Sequence, residues 1–508
     1  MDNDWSHLNQ TVIELMQAGK PDAALEPARL AIDRARQEKG DAHPDLALSL
    51  NNLAEIYHAL GELARAEPLL RQSLAIYETV FGPEHETVAD ALVNLAELHV
   101  SQERFSDAEP LMGRALAIRE TNMASDDPDL VPTLNGLATI HQALGDSESA
   151  ENQLKRALAI LESSMPENHP DLGPALCRLA EIVQAAGRPE EAEDHLRRAL
   201  AIYEKSIGSM HPAFAKVLGQ LSEIYLARGL LSAAEPLLQR SLDIRRATLS
   251  QDHPEIAESL NFLAMLHQAK GRPEKVEALM KESIAIYSRA FGEDHPAVAQ
   301  TQNSLADFYL NQGRPDDAKP LLEASLTSRE KVFGPDHPAV AQSLNNLAVC
   351  WDQLGAHDKA EPLHLRALDL RQSAFGSDHP ATTQSLDNLA ALYRSQSRTK
   401  EAEALLKQSL AIWKKSEGPD HPATAQAHSN LGALYASAGR YPEAEAALKH
   451  ARRIVEKALG PDDRHLAAIF ETLSLVYEKM GRSGESKEFA ARAHKIRKPE
   501  QMRKPQKD

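Results

Sequence analysis

Leu344, Leu347, Ala348 and Trp351 follow an i, i+3, i+4, i+7 spacing, the pattern of a helix with one apolar face. A second run, Ala360, Leu363, Ala367, Leu368 and Leu370, has the same period and ends at Phe375-Gly376. Gly355 separates the two, and the first begins after His337-Pro338, where proline suits an opening helical turn because its missing N–H has no partner there. The pair predicts a helix A and a helix B joined by a tight turn. It recurs along the chain: His-Pro steps stand at His43, His169, His211, His253, His295, His337, His379 and His421, separated by whole multiples of 42, with His85, Asp127 and Asp463 at the remaining positions of the series. One inserted residue would rotate a packed helix by about 100°, so an uninterrupted period requires each unit to meet its neighbours through the same interface. The fold class this predicts is all-α, a solenoid of about twelve helix-turn-helix units.

Glycine recurs at the A–B turn at 19, 61, 145, 187, 229, 271, 313, 355, 439 and 481, with Glu103 and Ser397 as departures. The turn is therefore expected to favour, without always requiring, a residue tolerant of positive φ. The repeats are expected to fill 1–497, with boundaries near 43, 85, 127, 169, 211, 253, 295, 337, 379, 421 and 463. The first unit matches the pattern least, as an end unit should, and the last has a polar helix B that reads as a cap. Residues 498–508, with Lys498, Arg503, Lys504, Lys507 and two prolines, are expected to form a basic, disordered tail.

The order Leu344, Leu347, Ala348, Trp351, Gly355, Ala360, Ala367 resembles the tetratricopeptide repeat, whose usual unit is about 34 residues. The longer unit here, with LNNLA in helix A, AEPL and RAL in helix B and FGPDHP in the connector, is similar to the repeats of kinesin light chains and their bacterial relatives. That resemblance implies a right-handed superhelix whose A helices line an inner groove, and a non-catalytic scaffold or adaptor that holds an extended peptide there. Repeats begin almost at the first residue, so the coiled coil that joins a kinesin light chain to its motor is not expected. A self-assembling structural protein and a regulatory subunit of a partner enzyme stay open as alternatives. Partner identity, pathway, source organism and oligomeric state are not encoded in the pattern.

A net charge of −18 argues against wrapping nucleic acid and against anionic membrane surfaces, both of which call for a basic face. No apolar run approaches the eighteen or so residues of a membrane-spanning helix, and the first ten residues do not form a secretory signal. Cys177 and Cys350, four units apart, cannot meet, which points to a reducing, cytoplasmic setting. No phosphate loop, HExxH, CxxC or nucleophile elbow occurs, so no catalysis, cofactor or metal is expected. The His-Pro histidines, one per unit, are too far apart to share a metal and read as parts of the connector. His99, His141 and His267 occupy a position elsewhere held by tyrosine or tryptophan and read as packing residues with one satisfied ring nitrogen.

Candidate groove positions are those between the packing residues of helix A. The fifth position of the repeat pattern holds Asn9, Asn51, Asn135, Asn261, Asn303 and Asn345, and the sixth holds Asn52, Asn94, Asn346, Asn388 and Asn430. A carboxamide both donates and accepts, so such a ladder can pair with any extended backbone, or equally with neighbouring helices. At the ninth position stand Glu55, Glu97, Glu181, Glu223 and Asp307, followed in the last four units by Val349, Ala391, Ala433 and Leu475. Kinesin light chains hold acidic cargo with basic groove residues, of which this sequence keeps few beyond Arg178 and Lys216. The expected partner segment is therefore basic toward one end with apolar anchors toward the other.

Overall fold

The computed structural model describes residues 4–497, and the basic segment 498–508 lies outside them. The described residues hold twenty-four α-helices and no strand. They cluster into two compact units that divide between Leu249 and Ser250, each containing six A–B pairs.

Within a pair such as Pro44–Ala59 and Leu63–Phe81, the helices are antiparallel and joined by a turn centred on a residue with positive φ. Every A–B turn has this conformation, including those at Glu103 (φ 58°) and Ser397 (φ 62°). The expectation that some turns could do without it is thus corrected. The chain must reverse within three residues, and the left-handed conformation lets the turn's N–H groups reach back to the last carbonyls of helix A, as Glu103 N–H does to Val100 and Arg104 N–H to His99. Glu103→Gly should stabilise the fold by about 1 kcal/mol, since a side chain in this region carries a steric cost that glycine avoids. Thermal unfolding of the two proteins measures the difference.

Helix starts have a device the pattern did not disclose. Each connector histidine caps the following A helix itself, its Nδ1 accepting the backbone N–H two residues on: Asp45 for His43 at 3.2 Å, Ala213 for His211 at 3.1 Å, Ala381 for His379 at 3.1 Å. Asp127 and Asp463, at the same place in the series, do it with a carboxylate. An imidazole with a bare Nδ1 is an N-cap acceptor of the kind Asn and Asp usually supply. In several units the α-helix proper starts later than the His-Pro step: Pro128–Leu130 and Pro380–Thr382 are 3-10 turns, and Val340–Gln353 begins three residues after His337.

Packing rests on small residues where helices approach. Ala66, Ala108, Ala150, Ala192, Ala234, Ala318, Ala360, Ala402 and Ala444, with Val276 in the one gap, stand on successive B helices and are fully buried. Two turns further on stand Ser73, Ser241, Ser283 and Ser325, whose hydroxyls donate to carbonyls of their partner A helix at 2.7–3.0 Å. Leucine, isoleucine and valine fill the space between, in a core that runs through each unit from repeat to repeat.

Candidate functional site

Within each unit, asparagines of the A helices are tied to polar residues of the neighbouring A helix. In the first unit the sixth-position amide of one A helix donates to the fifth-position amide of the preceding one: Asn52 Nδ2 to Asn9 Oδ1 at 2.7 Å and Asn94 Nδ2 to Asn51 Oδ1 at 2.9 Å. Asn430 does the same to Asp387 in the second unit, at 3.1 Å. Asn261 donates to Thr301 at 3.1 Å. Asn135, Asn346 and Asn388 are half-buried, and the Asn135 backbone carbonyl accepts from Arg178 at 3.3 Å.

Asn303 and Asn345 depart from the expectation of a groove-lining ladder. Each is 1% exposed. Asn303 donates to Ser325 at 2.6 Å and Ser343 at 3.0 Å, and Asn345 donates to Ser385 at 2.9 Å while its Oδ1 meets His364 Nδ1 at 2.9 Å. These two amides face the interior, where serine and histidine on adjacent helices offer partners: Asn345 uses both its ends, Asn303 its amino group alone among the described residues.

The acidic positions are placed differently. Glu55, Glu97, Glu181 and Asp307 are exposed and Glu223 is half-buried. Glu181 accepts from Gln220 at 2.6 Å and Asp307 from Asn311 on its own helix at 3.3 Å. Glu55 and Glu97 flank an open cleft of about 290 Å³ whose other walls include Asn51, Asn94, His58 and Leu70. Among the described residues, neither of these two carboxylates forms a hydrogen bond or an ion pair. His58 holds Ser101 at 2.7 Å across the mouth. In the second unit the equivalent position holds Met265, 53% exposed and three residues after Phe262 on its helix, and Leu475, 49% exposed. Met265 was detectable in sequence as Glu223 plus one period.

Most other acids of the B helices are committed elsewhere. At three repeat junctions of the second unit, a B-helix glutamate accepts from the tyrosine of the next A helix and from the arginine just after its turn: Glu361 from Tyr393 and Arg398, both at 2.9 Å; Glu403 from Tyr435 at 3.0 Å and Arg440 at 2.6 Å; Glu445 from Tyr477 at 3.0 Å and Arg482 at 3.1 Å. The guanidinium lies over the tyrosine ring, 3.8 Å away for Arg398 and Tyr393, and binds a second acid three residues on. Arg440 and Lys407 pull the Glu403 carboxyl down to about 2, and Lys281 and Arg314 do the same for Glu277. This latch was legible only as a Glu–Arg spacing of 37 that its chemistry alone did not single out.

In the tyrosine position of the first unit, His99 and His141 face the corresponding glutamates, with His99 Nε2 3.5 Å from Glu67 and His141 Nε2 3.4 Å from Glu109. Neither ring nitrogen of His99 makes a hydrogen bond among the described residues, which corrects the expected single satisfied nitrogen. Cys177 and Cys350 are buried, and burial pushes their thiols up to about 12 and about 11, away from nucleophilic use.

A tetratricopeptide repeat family model matches eleven overlapping stretches that run from 14–79 to 424–498. The chain belongs to the tetratricopeptide repeat family. Tetratricopeptide repeats build protein-interaction scaffolds, and that coarse role comes with membership. Solved structures similar to this tetratricopeptide chain include nearly identical TPR-like repeats of a kinesin light chain candidate from Podosopora anserina, at 27% identity over 41% of this chain and 98% of that one, with a TM-score of 0.35. Another is BtubC (BKLC) from P. vanneervenii, at 26% identity over 45% of this chain and 91% of that one, with a TM-score of 0.37. No curated protein matches. Among the described residues no helix is long and apolar enough to cross a membrane.

Proposed function

We propose that this chain is a non-catalytic adaptor whose A-helix face binds an extended segment of a partner protein, with a lysine or arginine of that segment seated between Glu55 and Glu97. The observation that carries the reading is the pair of unengaged carboxylates at the cleft, in a protein whose B-helix glutamates are otherwise latched to arginine and tyrosine. Exposed carboxylates in a concave site attract cations more strongly than isolated ones, because their fields add and the cleft limits screening. The Asn51–Asn94 bond leaves the Asn94 carbonyl and the Asn51 amino group available for a peptide backbone. In the second unit, Met265, Phe262 and Leu475 are the apolar A-helix positions proposed to take side chains of a partner. Two free, buried cysteines fit a reducing cytoplasm.

The test is fluorescence anisotropy with a labelled lysine-rich dodecapeptide, comparing the protein with a Glu55→Lys, Glu97→Lys variant. We expect affinity to fall at least tenfold in the variant, and to weaken in the parent as salt is raised. Equal affinity in both, with circular dichroism unchanged, would remove the cleft from the binding surface.

A further inference from the structure

One junction of the second unit inverts the latch. Where sister junctions carry tyrosine, glutamate, arginine and a second acid, the junction between Pro315–Phe333 and Val340–Gln353 carries Trp351 for the tyrosine, Lys319 for the glutamate, Ala356 for the arginine and Lys359 for the second acid. All four positions change together. The sister set has one cation and two carboxylates, whereas this one has two cations and no carboxylate. Both ammoniums lie against the indole, Lys319 Nζ 4.4 Å and Lys359 Nζ 4.3 Å from the ring centroid. Trp351 is half-buried, and both lysines remain partly open to solvent.

We infer that Lys319, Trp351 and Lys359 form a docking point for a carboxylate carried by an acidic segment of a partner protein. In the sister junctions at Tyr309, Tyr393, Tyr435 and Tyr477, this place holds an internal carboxylate bound by an arginine that lies over the ring. Here the chain withholds its own acid and presents two donors in its stead. The nearest acid to Lys319 is Glu323, one turn along the same helix at 4.0 Å, the limit of an ion pair. Asp352 accepts from Ser395 at 3.3 Å and lies 2.7 Å from His357 Nδ1. Held against the indole, each ammonium keeps a defined position beside Trp351, so an incoming carboxylate meets donors already in place. Replacement of arginine by Ala356 removes the long side chain that covers the sister rings and leaves room for the ligand. The site uses other residues and the opposite charge from the Glu55–Glu97 cleft, so each proposal can fail without the other.

The experiment uses the full chain carrying Trp5→Phe and Trp413→Phe, which makes Trp351 the only indole, and a decaglutamate peptide. Titration at low ionic strength should give a saturable change in Trp351 emission that 0.5 M salt abolishes, while decalysine gives none. Lys319→Gln, Lys359→Gln should weaken binding at least tenfold. A graft of the sister residues, Lys319→Glu, Trp351→Tyr, Ala356→Arg, Lys359→Glu, followed by anisotropy of labelled decaglutamate, should abolish it with helicity and melting temperature retained, since the same set already folds at four neighbouring junctions. No saturable response in the parent, or undiminished binding by the graft, would overturn the proposal.

Discussion

Acidification from pH 7 to pH 4.5 is expected to destabilise the unit that begins at Ser250, and His364→Leu should remove a large part of that dependence. His364 stands where the neighbouring B helices carry Leu322 and Leu406, and it is 1% exposed. Its Nδ1 meets the Asn345 carbonyl at 2.9 Å, and burial pushes the imidazole from 6.5 down to about 4. Above pH 6.5 the ring is neutral in the folded and unfolded chains alike. Between 6.5 and 4 the unfolded chain takes up a proton that the folded chain refuses, so stability falls as the pH drops, by about 3 kcal/mol over the full window. His428, stacked on His450 at 5.4 Å and brought to about 4 by burial, then Lys414 and His450, adds a loss of the same sign, reduced by its partial exposure.

Asp387 works the other way. Burial raises its carboxyl to about 6, against the opposing bonds from Ser409 and Asn430. The folded chain therefore protonates it first, and stability is regained between about 6 and 3.8. Two histidines outweigh one aspartate, and the net slope is a loss toward acid. Urea unfolding at pH 7 and 4.5, with amide exchange read in the helix His357–Phe375, checks this. His364→Leu leaves the Asn345 carbonyl without its donor, so the variant starts lower at pH 7 by about 1–3 kcal/mol. Its shallower pH slope is the readout, and an unchanged slope would show that His364 titrates like an exposed imidazole.

Phe470→Ala should cost about 3–5 kcal/mol, the range for deleting a buried phenyl ring and leaving a cavity. Phe470 is fully buried, sits 5.5 Å from the Phe489 ring and carries the Arg492 guanidinium over its face at 4.3 Å. It lies on the last A helix, Leu466–Lys479, whose B helix Ser483–Arg497 has a neighbour on one side only among the described residues. In a repeat array each unit leans on its nearest neighbours, so the loss concentrates at the end of the stack. Fast amide exchange and early proteolysis confined to 466–497, with the repeats before it protected, is the expected result. A uniform fall in protection across the unit would mean that the six repeats unfold as one.

Much of the architecture was legible because helical period and repeat period report on backbone geometry. Leu344, Leu347 and Ala348 had to share a face, and Gly355 and its equivalents had to sit where the chain reverses. Even Glu103 and Ser397 were identifiable as turn residues, although their own chemistry argues against the conformation they adopt. Aligned columns also isolated the acids at 55 and 97 and the amides at 51 and 94. What the columns could not convey was direction. Asn346 and Asn345 are adjacent in sequence, yet one is half-buried and the other wholly enclosed by Ser385 and His364.

The linear sequence by itself determined the helices, their number, the turn positions and the equivalence of residues one period apart, since each follows from local propensity and from a spacing that tolerates no insertion. Only the tertiary structure decided which equivalent residues meet. The histidine caps depend on a ring nitrogen turning back to its own helix, and the Tyr–Glu–Arg latch joins atoms 32 and 37 residues apart. Rotamer choice and lateral helix packing set those encounters, and neither leaves a periodic trace in the chain. The same holds for Trp351, an ordinary aromatic in its column until three neighbouring substitutions turn its surroundings from acidic to basic.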